Sequence, residues 1–217
     1  MAQTEMEFER AAALFWALGG SVPHAPELEE WALQETSGGT DREKLLLKAV
    51  NLCSAGETPS HCYLLTKLYS WLGPQYTADT IRWASRYLSG RPWEKLPRGI
   101  TLQDGVEISR ESAARAGVYA DLAQAQVQRG ETGPAMVNYG EAYRLEPYNA
   151  MYPVKIADLL SLSGSTQEAL QYLENQKASR YYKPVRYTDA RGVRHTNDTF
   201  RQLLDAQIRK LKARISQ

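Results

Sequence analysis

Between residues 116 and 183 the sequence repeats itself at an interval of 34. Gly130 returns as Gly164, Ala135 as Ala169, Ala123 as Ala157, Leu122 as Ile156, and aromatic Tyr139 as apolar Leu173. A fixed period of this length constrains the fold more than any single motif does. It marks a supersecondary unit that cannot bury its apolar face alone and must stack on a neighbour. Each unit has an apolar-periodic stretch, a glycine break, and a second apolar-periodic stretch with a small residue near its start. That pattern predicts two antiparallel helices joined by a tight turn, with the alanine letting them approach closely.

Tyr119, Leu122, Ala123, Gly130, Ala135, Tyr139, Ala142 and Pro147 stand at the spacing of the tetratricopeptide repeat signature. Residues 116–149 resemble that family, with Tyr119 in place of its Trp and Tyr139 in place of its Phe. Gln126 departs from it, where the signature has Tyr. Residues 150–183 resemble it through Pro153, Ile156, Ala157, Leu160, Gly164, Ala169 and Leu173, without a proline at 181. The resemblance implies an all-α, right-handed solenoid of helical hairpins that binds proteins or peptides, and it implies no chemistry. Gly39 and Gly73 are also 34 apart, which suggests two degenerate earlier units at 25–58 and 59–92. Cys62, Leu65, Tyr69, Gly73 and Ala78 fit the second of these, and Trp31 and Gly39 the first. From Gly73 to Gly130 is 57 residues, one repeat plus 23, so the excess falls in 90–108, read as an insertion.

Length and composition set the frame for this reading. At 217 residues, 43% hydrophobic and 24% charged, the chain reads as one soluble domain, 1–217, with a continuous stacked core. The longest apolar run, Ala11–Leu18, is too short to span a bilayer. It follows Glu5, Glu7 and Glu9, whereas a signal peptide starts basic. Two cysteines, Cys53 and Cys62, make no disulfide framework, so the expected setting is a reducing cytoplasm. The net charge of +1 is unevenly placed: residues 1–60 hold ten acids against four bases, and residues 177–217 eleven bases against three acids.

Helix signals divide the chain at 4–18, 26–35, 45–52, 59–72, 77–88, 109–129, 134–145, 149–163 and 166–176. Thr4 with Glu7, Thr40 with Glu43, and Ser165 with Glu168 have capping-box spacing, and Thr58–Pro59 reads as a helix start. Residues 181–196 alternate β-branched and aromatic residues around a turn-like centre, which predicts a short β-hairpin or an extended loop. A helix over 198–215, capped by Asn197 or Asp198, carries Phe200, Leu204, Ile208, Leu211 and Ile215 on one stripe, with Leu203 beside it. Such a helix suits the terminal cap that a solenoid requires.

No constellation in the sequence supports an enzyme. His24, His61 and His195 are the only histidines, and none lies in a nucleophile or metal motif. His195 has Asp189 and Asp198 near it in sequence, but a loop histidine among charges is more often solvated. Cys53, His61 and Cys62 offer three potential ligands within ten residues. They lack a fourth ligand and a paired-cysteine knuckle, so packing is the better reading and no metal or cofactor is expected. The resemblance places an inner binding face at positions four apart on the first helix of each hairpin. These are Tyr63, Lys67 and Trp71, then Ala120, Gln124 and Gln128, then Val154, Asp158 and Leu162. Only Lys67 is basic, so the family's Lys and Asn clamp on a terminal carboxylate is not matched. The alternative is an inner face that is merely solvated, or covered by the chain's own tail.

The tail forms a basic patch of Lys183, Arg186, Arg191, Arg194, Arg209, Lys210 and Lys212. It reads first as the solvated side of a capping helix, second as a dock for the acidic front, and third as a nucleic-acid surface. An isoelectric point near 7.7 is low for a dedicated nucleic-acid binder. The expectation is a non-enzymatic cytoplasmic module that binds a protein or peptide segment along its inner face. A nucleic-acid-associated regulator using the tail is the alternative.

Overall fold

The computed structural model describes residues 3–37, 39, 41–91, 100–101, 107–188 and 194–216. The described residues contain ten α-helices and two pairs of short strands, and the fold is all-α with sequential hairpin packing. By internal contacts the chain divides into two compact units. One is Met1–Pro97 with Gln124–Gly130, and the other is Arg98–Ala123 with Glu131–Gln217. The first boundary falls inside the 90–108 segment that the repeat spacing singles out.

The first unit holds α1 (Gln3–Ala17), α2 (Glu29–Ser37), α3 (Arg42–Cys53), α4 (Pro59–Leu72) and α5 (Thr77–Ser89). α1 packs on α2 and α3, α3 on α4, and α4 on α5. The five residues Ala11–Phe15 are all buried, so the apolar run of α1 is the centre of a helical core. No helix among the described residues is long and apolar enough to cross a membrane. Trp31 of α2 is held between Arg10 of α1 and Lys48 of α3, whose cations lie 5.9 and 5.6 Å from its ring. Lys48 also donates to Glu35 at 2.8 Å, which ties α3 to α2.

Capping differs from the sequence expectation at three starts. α1 already includes Thr4, so that threonine is an interior residue. α3 is capped by Asp41, which accepts the Glu43 N–H at 3.0 Å, and Thr40 lies outside the described residues. Ser165 precedes the helix it was expected to cap but makes no side-chain cap bond. α4 begins as the spacing predicts, with the Thr58 hydroxyl accepting the His61 N–H and Pro59 in the first turn.

The second unit includes α7 (Thr132–Leu145), α8 (Met151–Leu162), α9 (Thr166–Gln176) and α10 (Thr199–Ile215). α7 packs on α8, α8 on α9, and α10 on both α9 and α8. The helix α6 (Arg110–Gln128) buries Ala116, Val118, Leu122 and Ala123. Gly130 and Gly164 have φ of 76° and 90°, a left-handed turn open to glycine at little cost. At Gly164 the chain reverses through two bonds, Gly164 N–H to Ser161 O at 3.2 Å and Ser165 N–H to Leu160 O at 2.9 Å. Gly39 and Gly73 share the positive φ, so the same break recurs at the earlier interval. Ala135, Ala157 and Ala169 are fully buried, as close packing of helices demands.

Two strand pairs complete the description. β1 (Ile100–Thr101) pairs antiparallel with β2 (Glu107–Ile108), and β3 (Val185–Thr188) with β4 (Arg194–Asn197). Tyr187 faces His195 in the second register, while residues 189–193, including Asp189 and Arg191, lie outside the described residues. Most of the 90–108 segment, Trp93 included, lies outside them too. In α10 the stripe Phe200, Leu204, Ile208 and Leu211 is buried with Leu173 and Tyr181 in one core cluster. Ile215 is the exception, 44% exposed in the last turn, where the helix end outruns the surface it covers. Asp198 sits at the N-cap without a side-chain cap bond, and its Oδ2 takes the Arg201 guanidinium.

Candidate functional site

Along α4 the positions four apart fall on one stripe, since four residues turn a helix through slightly more than one revolution. Tyr63 starts the stripe and is buried, its ring 5.5 Å from that of Tyr87 on α5. It therefore belongs to the core more than to an open surface. Lys67 comes next, its ammonium 5.6 Å from the Tyr63 ring. Trp71 ends the stripe with 36% of its surface in water. Its ring lies 4.5 Å from Phe15 of α1, and the Arg42 guanidinium sits 4.9 Å above it. Arg42 escapes any reading by helix spacing, because it reaches Trp71 from the start of another helix, across 29 positions of sequence.

On α8 the expected inner face meets the chain's own tail. Gln207 of α10 donates to the Asp158 carboxylate, and the Lys210 ammonium lies 4.0 Å from the same oxygen. One turn on, Arg214 donates to the Ser161 hydroxyl at 3.0 Å. Asp158 is thus engaged by α10. Leu162, at the end of α8, remains 74% exposed, and Val154 is half-buried. Gln124 and Gln128 of α6 are exposed. Gln207 was not legible as a site residue, because it lies beside the apolar stripe of α10 and its partner is 49 positions away.

The basic tail is partly neutralised within its own unit. Lys212 bridges Glu174 at 2.9 Å, and Lys177 bridges the same residue at 2.7 Å. Those two cations hold the Glu174 carboxyl below the usual carboxylate range. Asp205 accepts the Tyr182 hydroxyl at 2.9 Å. Arg209 and Lys183 are exposed. The side chains of Arg186, Arg194 and His195, and all of Arg191, lie outside the described residues.

The remaining candidates are structural in their contacts. Cys53 and Cys62 are free, buried thiols; the Cys53 thiol donates to the His61 carbonyl at 3.9 Å and the Cys62 thiol to the Glu57 carbonyl at 3.8 Å. Burial pushes both thiol pKa values up, away from the reactive thiolate. Among the described residues no group of three His, Cys, Asp or Glu side chains could hold a metal ion. At the turn between α7 and α8, Glu146 accepts from Tyr148, Asn149 and Tyr152 at 3.1, 3.3 and 2.8 Å. This knot orders the loop that Pro147 opens.

The chain resembles the tetratricopeptide repeat family in this helical-hairpin packing. No family model and no curated protein matches it. Among solved structures, the crystal structure of MamA aligns with 90% of this chain and 97% of its own, at 12% identity and a TM-score of 0.47.

Proposed function

We propose that this chain is a non-enzymatic scaffold of helical hairpins that binds a segment of another protein. The observation that carries the reading is the stripe on α4. Trp71 leaves a third of a large aromatic surface in water, while Phe15 and Arg42 fix its orientation. An aromatic ring held rigid before binding loses little freedom on contact, which is why such residues dominate interface energetics. Lys67, one turn back, adds a charge beside it. Gln124 and Gln128 are further exposed positions of the kind such a surface uses, and Leu162 is one in the other unit. Unpaired buried thiols fit a reducing, cytoplasmic setting.

The tail supports a capping role over nucleic-acid binding. Its apolar stripe is buried on α8 and α9, and Lys210 and Lys212 face Asp158 and Glu174 within the same unit. In this reading the fourth repeat closes the array, and the strands before α10 form a hairpin that leads into the cap. An affinity pull-down at moderate salt, with and without nuclease, tests the proposal. The expected result is a protein partner retained after nuclease and lost in Trp71→Ala, assayed at a temperature where circular dichroism shows the variant as helical as wild type. Capture that disappears with nuclease, or that ignores Trp71, would remove the reading.

A further inference from the structure

His61 has no place for a second proton. It stands in the first turn of α4 with 6% of its surface exposed. Its Nδ1 lies 2.5 Å from the Thr58 hydroxyl, the same oxygen that accepts the backbone N–H of His61 as helix cap. Its Nε2 is buried and has no hydrogen-bond partner. Two surfaces close on the ring. Phe8 of α1 packs on it with centroids 4.9 Å apart. Gly56 lies against the Cδ2–Nε2 edge so tightly that a Cβ there would come within 2.1 Å of both atoms. Backbone therefore covers the nitrogen that an acceptor or a water would have to reach.

The charged and titratable groups on the surrounding elements do not relieve this. They are Glu5 and Glu9 on α1, Cys53 on α3, Glu57 in the loop, Cys62 on α4 and Arg86 on α5. Glu57 is committed to a bidentate bond with Arg86. Cys53 and Cys62 stay protonated and point to backbone carbonyls. Glu5 shares the Phe8 side of α1 but is exposed; Glu9 is one helix step of about 100° away from Phe8 and, although its Oε2 is buried without a hydrogen-bond partner, it makes no bond to the ring. Burial alone pushes the imidazole pKa below its ordinary value.

We propose that the α1–α4 joint is an acid-labile latch, in which a second ring proton drives His61 out of the slot between Phe8 and Gly56 and releases α1 from α4. A charged imidazolium has two N–H donors, and the buried one finds no acceptor, so the closed joint accommodates only the neutral ring. The same seam carries Phe15 against Trp71, three turns further along α4, so release reaches that ring as well. The latch is independent of what the unit binds. Because the folded pKa is depressed, the joint is fully stabilised above the unfolded histidine value near 6.5 and is lost as pH falls below it.

Urea midpoints of the full chain at about pH 7.5 and about pH 5.5, the span in which histidine changes charge, test this. Wild type should lose stability on acidification, while His61→Phe, which keeps a ring against Phe8 but cannot titrate, should lose less than half as much. An equal loss in both overturns the proposal. Should His61→Phe fail to fold, NMR titration of wild type decides between the same alternatives. One of the three histidines should titrate below its ordinary value, with amide protection factors over Ala11–Phe15 falling in the same window. Three ordinary titrations, or protection that does not change with pH, overturn it.

Discussion

Single residues in this chain divide sharply by volume and by water. Ala135 is fully buried on α7, whereas Gln128, at the end of α6, is exposed. Ala135→Arg should overpack a filled contact and bury a charge, at a cost on the order of 3 kcal/mol or more. Gln128→Arg should change stability by roughly 0.5 kcal/mol or less. Paired urea melts check this, and equal midpoints would refute the helix register. Tyrosine is the second residue-scale case. Burial pushes Tyr139 and Tyr172 up to about 12, from an ordinary value of 10.0. The unfolded phenol therefore ionises first, and stability present below about pH 10 should fall as pH rises toward 12. Phenolate absorbance followed alongside helix content should show these two rings ionising late. Early ionisation without unfolding would mean that they are not buried in solution.

At the scale of elements, α10 is defined by what its apolar stripe covers. Fully burying side chains such as Phe200, Leu204, Ile208 and Leu211 is worth about 1.5–3 kcal/mol each, before ordering costs. Leu204 is completely buried, so Leu204→Asp should destabilise the second unit by on the order of 3 kcal/mol or more. The polar side of the same helix should behave differently. Reversing Arg209, Lys210 and Lys212 to Glu sets a carboxylate beside Glu174 and another near Asp158. Exposed pairs contribute about 0–1 kcal/mol each, so the loss should stay well below that of Leu204→Asp. Thermal melts of the two variants rank them, and the opposite order would show that charge rather than burial seats the helix. The helices themselves were legible because their start and stop signals are local: Pro59 after Thr58, Gly164 after Leu162. The α3 cap was misplaced by one residue because Thr40 and Asp41 are both competent caps, and only the backbone path distinguishes them.

For the whole molecule, far-UV circular dichroism should report mostly helix with a small strand contribution, and a strand-dominated spectrum would be incompatible with the hairpin packing. The sequence by itself determined the hairpins, because period, glycine breaks and small residues act between positions near in the chain. It also determined the apolar stripe of α10, which is a matter of spacing along one helix. It could not determine what that stripe covers, nor that Gln207, Lys210 and Arg214 reach Asp158 and Ser161. Nor could it show Tyr63 turning inward while Trp71, two turns later on the same stripe, keeps about a third of its surface in water between Phe15 and Arg42. Helical periodicity says which residues share a face. Which helix arrives at that face is decided by side chains 29 to 56 positions away, so only the tertiary structure could assign it.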